Sequence, residues 1–191
     1  MAKGTFLSQQ LIKIIALAAA LAVLLYIAFI WSNTVIRQKL PIQYSEYVEA
    51  SSEEFGLDKY LVYAIISTES GFDPAAESSK GAVGLMQLLP ETARWITEKY
   101  DLSCDPGALT DPETNIRIGC CYFSYLLSRF DGSTDLAVTA YNGGEGNVRQ
   151  WLQNEKYSSD GKTLYVIPYK ETSKYLSKVT TRYEIYQKLY S

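Results

Sequence analysis

From Ile14 to Trp31 the chain carries no charged residue, and Leu, Ile, Ala, Val and aromatic side chains fill nearly every position. A helix needs roughly 20 apolar residues to cross a bilayer core. Leu11, Ile12 and a snorkelling Lys13 extend the run to that length. Tyr26 and Trp31 stand near its far end, where amphipathic rings favour the interface. A cleaved signal peptide would have a shorter apolar core and small residues at a cleavage site; here the run ends in Ile27-Ala28-Phe29-Ile30-Trp31. Residues 1–31 therefore read as a cytoplasmic end and one uncleaved transmembrane helix. Lys3 and Lys13 precede the span, which puts the short end inside and everything after Trp31 outside. Arg37 and Lys39, just past the other end, weigh against that orientation.

Residues 32–44 read as a linker, with Pro41 near its end, and residues 45–191 are enough for one domain with its own core. Beyond Trp31 lie 16 of the 18 basic residues and all 21 acidic ones. That excess of acid, with no basic stripe, argues against nucleic acid as a partner. The chain has no histidine, which excludes Ser-His-Asp triads, Cys-His dyads and His-ligated metal sites. Outside the membrane Cys104, Cys120 and Cys121 can oxidise, but an odd number leaves at least one without a partner in the chain. A bridge from Cys104 to Cys120 or Cys121 and a set of buried free thiols are both open.

After Tyr44 the pattern is helical almost throughout. A helix over about Ser45 to Phe55 stops at Gly56, and Asp58 caps the next. Leu61, Val62, Ile65 and Ile66 form its apolar stripe. Pro90 opens a short helix through Trp95, and Asp111-Pro112 opens one that ends at Asp131-Gly132. Asp135 is expected to cap a helix that stops at Asn142-Gly143-Gly144. A short helix follows over Val148 to Leu152, and Pro168 opens the last, to about Tyr190. Thr163 to Ile167 is the one stretch with an extended look. The class is all-α.

Glu69 lies three residues after Ile66 and four after Ile65, so it continues the apolar stripe of its helix. A carboxyl group there is partly desolvated, and desolvation raises its pKa. Gly71 and Pro74 end the helix at once, and the C-terminal dipole disfavours negative charge in the same direction. A raised pKa is what a general acid needs near neutral pH. The next loop holds Gly81 and Gly84, which permit close backbone approach. It also holds Gln87, whose amide both donates and accepts as sugar hydroxyls and acetamido groups require. Asp73 and Glu77 are near in sequence, but the first sits in a turn and the second in an exposed-looking loop.

Glu69-Ser70-Gly71-Phe72-Asp73-Pro74, Ser78, Gly81-Ala82-Val83-Gly84-Leu85-Met86-Gln87 and Pro90-Glu91-Thr92-Ala93 together closely resemble the soluble-lytic-transglycosylase (SLT) family. That family belongs to the lysozyme superfamily and is related to goose-type lysozyme. Three further blocks stand in the family's order. Asn115-Ile116 with Gly119 and Tyr122 is similar to its middle helix. Ala140-Tyr141-Asn142-Gly143-Gly144 with Gly146, Asn147 and Val148 is similar to its tyrosine-asparagine-glycine turn. Ile167-Pro168 with Glu171-Thr172, Tyr175 and Val179 is similar to its final helix. Gly143 replaces the family's usual Ala, Glu145 a frequent Pro, and Leu89 a frequent Met; none of these removes a functional group.

The resemblance implies a lysozyme-like catalytic domain acting on peptidoglycan glycan strands, without metal or cofactor, and the apolar N-terminal run is expected to tether that domain to the membrane. It implies Glu69 as the one acid/base, with Ser78, Gln87, Tyr141, Asn142 and Glu171 lining the sugar groove. Glu171 leads a stripe with Tyr175, Val179 and Tyr186 and is expected to face inward. The implied product ends in 1,6-anhydro-N-acetylmuramic acid. A muramidase with water as acceptor, or a glycan-binding module in a wall-remodelling or secretion complex, are the alternatives.

Overall fold

The computed structural model describes the backbone of residues 2–191 and side chains from residue 11 onward. Lys3, one of the two cations behind the expected orientation, has its side chain outside the described residues. The chain divides into two units, Met1–Pro41 and Ile42–Ser191.

The first unit is one helix, α1, Ala2–Lys39. From Leu11 to Trp31 its apolar side chains are exposed all round, Leu17 at 74% and Trp31 at 72%. A helix that is apolar on every side needs an apolar solvent or a core. The span Leu11–Lys39 is long and apolar enough to cross a membrane. Residues 32–39, expected to be linker, continue the helix. They contain neither Gly nor Pro, and the helix stops just before Pro41, which lacks the N–H to continue it.

The second unit contains α2 (Ser45–Phe55), α3 (Lys59–Glu69), α4 (Pro90–Tyr100), α5 (Pro112–Arg129), α6 (Thr134–Gly143), α7 (Glu145–Leu152) and α8 (Lys170–Tyr190). No strand occurs among the described residues; two isolated bridges, Glu77 to Val83 and Val83 to Leu88, close the loop before α4. α3 is buried without interruption from Leu61 to Ser67. It packs on α8, while α5 joins α2, α4 and α6. The helix that ends at Glu69 is thus buried along most of its length.

The caps follow local chemistry. Asp58 accepts from the Tyr60 N–H at 2.8 Å and Asp111 from the Thr114 N–H at 2.9 Å, as the sequence predicts. Elsewhere the boundaries move. Ser133, not Asp135, caps α6, because its hydroxyl reaches the Leu136 N–H. α4 runs past Trp95 to Tyr100, α7 starts at Glu145, and α8 starts at Lys170 after a Tyr169 cap rather than at Pro168. Thr163 to Ile167 forms no strand. All three cysteines are free, with Cys120 and Cys121 buried.

Candidate active site

α3 ends because the chain turns left-handed twice in succession, at Gly71 (φ 62) and Phe72 (φ 71). For a bulky residue that conformation is strained. Phe72 is nevertheless 5% exposed, its ring packed by Tyr63. Ser70 secures the turn: its hydroxyl accepts from the Phe72 N–H at 3.1 Å and donates to the Leu85 carbonyl at 2.8 Å. The last turn of α3 is thereby tied to the loop of residues 81–89. Arg182 of α8 donates to the Ser67 carbonyl and, at 3.0 Å, to Thr68 Oγ1, placing a cation on the C-terminal carbonyls of α3.

The loop is held from below by Asn115 of α5, which is fully buried. Its amide donates to the Val83 and Leu109 carbonyls at 3.0 and 2.8 Å and accepts from the Met86 N–H at 2.7 Å. Gly84, at φ +81, leaves room for this: a Cβ there would lie 2.2 Å from the Leu109 carbonyl oxygen and 2.3 Å from Asn115 Nδ2. From above, the Tyr141 hydroxyl donates to the Met86 carbonyl at 2.7 Å.

These ties bring all six predicted residues, Glu69, Ser78, Gln87, Tyr141, Asn142 and Glu171, to the wall of one cleft of about 520 Å³. Leu89, Thr92, Tyr122 and Gly144 complete much of the lining. Several of the six also serve the backbone. Ser78 accepts from the Ala82 N–H at 3.0 Å. Gln87, itself left-handed at φ 49, directs its amide N–H groups to the Ala76 and Gly84 carbonyls at 2.9 and 3.0 Å. Glu171 is exposed rather than turned inward. In the first turn of α8 the inward place belongs to Thr172, at 2% exposure, whose side chain fills the space beside Gly143. Asp73 and Glu77 are exposed and outside the cleft lining.

Burial pushes the Glu69 carboxyl up to about 7, and only the approach of the Tyr175 hydroxyl draws it back. That hydroxyl is buried and completes no hydrogen bond of normal geometry. Among the described residues no cation pairs with Glu69. Tyr141 and Tyr175 are raised well above the ordinary phenol range, first by burial and then by the charge of Glu69. A half-buried, unpaired carboxyl between two phenols can hold a proton at neutral pH and take one back after losing it. A second cleft of about 530 Å³ lies by Arg129, Ser133, Arg149 and Lys162, but it holds no such carboxyl. Among the described residues no group of three or more His, Cys, Asp or Glu side chains is arranged to hold a metal ion.

Ser70, Asn115, Tyr122 and Tyr175 shape the site without having been predicted for it. Tyr175 carried a usable signal, since it lies one turn after Glu171 on the buried stripe of α8.

The family model described as the transglycosylase SLT domain matches residues 46–164. The soluble lytic murein transglycosylase of Escherichia coli K12 is 31% identical over 164 residues, which cover 84% of this chain and 25% of that protein. The chain spans about a quarter of the length of the curated relatives it matches. The structure of an inactive glutamate-to-glutamine mutant of the lytic transglycosylase from Pseudomonas aeruginosa superimposes with a TM-score of 0.70 at 35% identity, covering 78% of this chain and 25% of that one. The 70-kDa soluble lytic transglycosylase of E. coli, also solved with bulgecin A, gives 0.71 at 29% identity, covering 80% and 25%.

Proposed function

The chain belongs to the transglycosylase SLT family, and from that premise we propose that it cuts peptidoglycan glycan strands as a lytic transglycosylase, with Glu69 as its single acid/base. The observation that carries this reading is the Glu69 carboxyl, held near pKa 7 by burial in the wall of a sugar-sized cleft. Near neutral pH a large share of it is protonated, as a general acid must be.

In the proposed reaction Glu69 gives its proton to the glycosidic oxygen that leaves N-acetylmuramic acid, while the acetamido group of that sugar assists at C1. The carboxylate then takes the proton of the 6-hydroxyl of the same sugar. The C1–O6 bond replaces the C1–O4 bond, and a 1,6-anhydro end forms without water. The tethered hydroxyl has an effective concentration that solvent does not match. As charge develops on Glu69, the Tyr175 hydroxyl is the near donor able to meet it. Ser78 and Asn142, with the Gln87 carbonyl oxygen and the Tyr141 ring, bind and orient the sugars.

One observation favours a second reading. Glu171 is the other carboxylate lining the cleft, and paired carboxylates activate water in many glycosidases. A muramidase would then result. Mass spectrometry of digested peptidoglycan separates the two, because a reducing end exceeds an anhydro end by one water. Anhydro ends from the earliest time points support the transglycosylase; early reducing ends make Glu171 the base. A purely glycan-binding module has no use for a carboxyl kept desolvated and unpaired, and it would release neither product.

We also infer that α1 anchors the enzyme in the membrane, with the catalytic unit on the extracytoplasmic side near its wall substrate and any remodelling or secretion complex. Fractionation followed by N-terminal sequencing checks this. A soluble form starting near Ser32 would show that the segment is a cleaved leader.

A further inference from the structure

Two helices carry a surface row away from the cleft. On α4, Thr92 lines the cleft and Trp95 and Lys99 follow at the spacing of one helix face. On α5, Tyr122 lines the cleft and Tyr125 follows one turn later. The rings form a continuous chain from the site outward. Tyr141 and Tyr122 have centroids 5.3 Å apart, Tyr122 and Trp95 6.4 Å, and Trp95 and Tyr125 5.1 Å. Trp95 stands nearly perpendicular to both tyrosines, at 82° and 84°, which holds the indole in one orientation. Lys99 Nζ lies 5.9 Å from the Trp95 ring, 5.7 Å from Tyr100 and 5.8 Å from Tyr125, and it makes no ion pair among the described residues. Trp95 and Tyr100 remain 42% and 45% exposed.

A single exposed ring needs no explanation, but a row of rings continuous with the wall of a cleft does. The exposed Glu91, Arg94 and Glu98 around it leave no broad apolar face for a lipid surface or a packed protein core. Flat rings beside an ammonium group suit a polymer with apolar C–H faces and polar edges. We propose that Trp95, Lys99 and Tyr100, backed by Tyr122 and Tyr125, form an outer subsite that stacks sugar rings of the glycan strand beyond those held at Glu69. The enzyme would thereby prefer long strands to short fragments. This rests on the reading of the cleft as glycan-binding.

The test uses the full chain in detergent carrying Glu69→Gln, so that ligands stay intact. Affinity is measured by calorimetry for a tetrasaccharide of alternating N-acetylglucosamine and N-acetylmuramic acid and for long peptide-free strands of the same repeat. Trp95→Ala should weaken strand binding about tenfold, the scale of an aromatic anchor, while changing tetrasaccharide binding less than about twofold. Trp95→Phe keeps a ring and should restore most of the loss, and Tyr100→Ala should give a smaller loss confined to long strands. Equal weakening of both ligands, or of neither, overturns the subsite. The same preparation with Glu69 intact is assayed for cleavage. Strands bound through Trp95 but never cut would sink the catalytic reading and leave the subsite standing. Strands cut with no dependence of binding on Trp95 would do the reverse.

Discussion

Two glutamates at helix ends, Glu69 and Glu145, are treated in opposite ways by the same small unit. Glu69 closes α3, where the dipole repels negative charge, and burial lifts its pKa to about 7. Glu145 opens α7, where the dipole attracts it, and hydrogen bonds from Arg129, Tyr125 and Arg149 overcome a burial that on its own would raise it, taking it down to about 2. Its oxygens receive Arg129 and Arg149 each at 2.8 Å and the Tyr125 hydroxyl at 2.7 Å. The pair teaches that desolvation alone does not decide which way a carboxyl's pKa moves. What distinguishes Glu69 is desolvation without a cation beside it. Glu145 is a structural tie between α5 and α7, standing where the family often has a proline with no charge to offer.

Glu69→Gln is the largest test of that contrast. It keeps the shape and removes the proton, so release of soluble muropeptides from labelled cell walls should fall by at least about 10²-fold. Activity close to wild type would end the assignment. In the intact enzyme the basic limb of kcat/KM should fall near pH 7, because in the proposed reaction only protonated Glu69 starts the cleavage.

Stability should separate the two residues by sign. The Glu69 carboxyl binds its proton more tightly folded than unfolded, so its burden on the fold appears as pH rises from about 4.5 to 7. Glu69→Gln should therefore stabilise at pH 8, by up to about 3 kcal/mol, and hardly at all at pH 4.5. Glu145 has a lowered pKa, so its contribution is full above about 4.5 and fades as pH falls toward 2. Glu145→Gln should cost about 1–2 kcal/mol at pH 7, less than the shift alone suggests because its arginine partners are 45% and 41% exposed. Denaturant titrations at pH 4.5 and 8 decide it; two effects of the same sign would break the comparison.

The loop beside Glu69 also depends on close backbone approach. A Cβ at Gly119 would meet Met86 Sδ at 2.4 Å. Gly119→Ala should cost about 1–3 kcal/mol through overpacking. By displacing the Met86 carbonyl that Tyr141 holds, it should also lower activity at 25 °C in protein still folded by circular dichroism. Full activity in the folded variant would show that the loop tolerates the shift.

Tyr175→Phe should give the smallest effect. Removing the one group that favours ionised Glu69 moves the basic limb slightly up. A downward move would mean that Tyr175 does not act on the carboxylate.

Local signals in the sequence determined much of this protein. The apolar run without charge, the Asp58 and Asp111-Pro112 caps and the buried stripe of α3 depend on neighbours within one or two turns, so the chain displays them directly. Glu69 was legible for the same reason: an acid continuing an apolar stripe has few ways to reach water. The tertiary structure decided what depends on distant partners. Glu171 looked inward by periodicity, yet Thr172 takes that place, because which residue of a first turn is covered depends on the facing helix. Gln87 looked free for sugars, yet its N–H groups serve loop carbonyls that no spacing rule reveals. The opposite fates of Glu69 and Glu145 were beyond the sequence for the same reason: a carboxylate's charge is set by the cations and donors that packing brings to it, and Arg129, Tyr125 and Arg149 meet at Glu145 only when α5 and α7 are folded together.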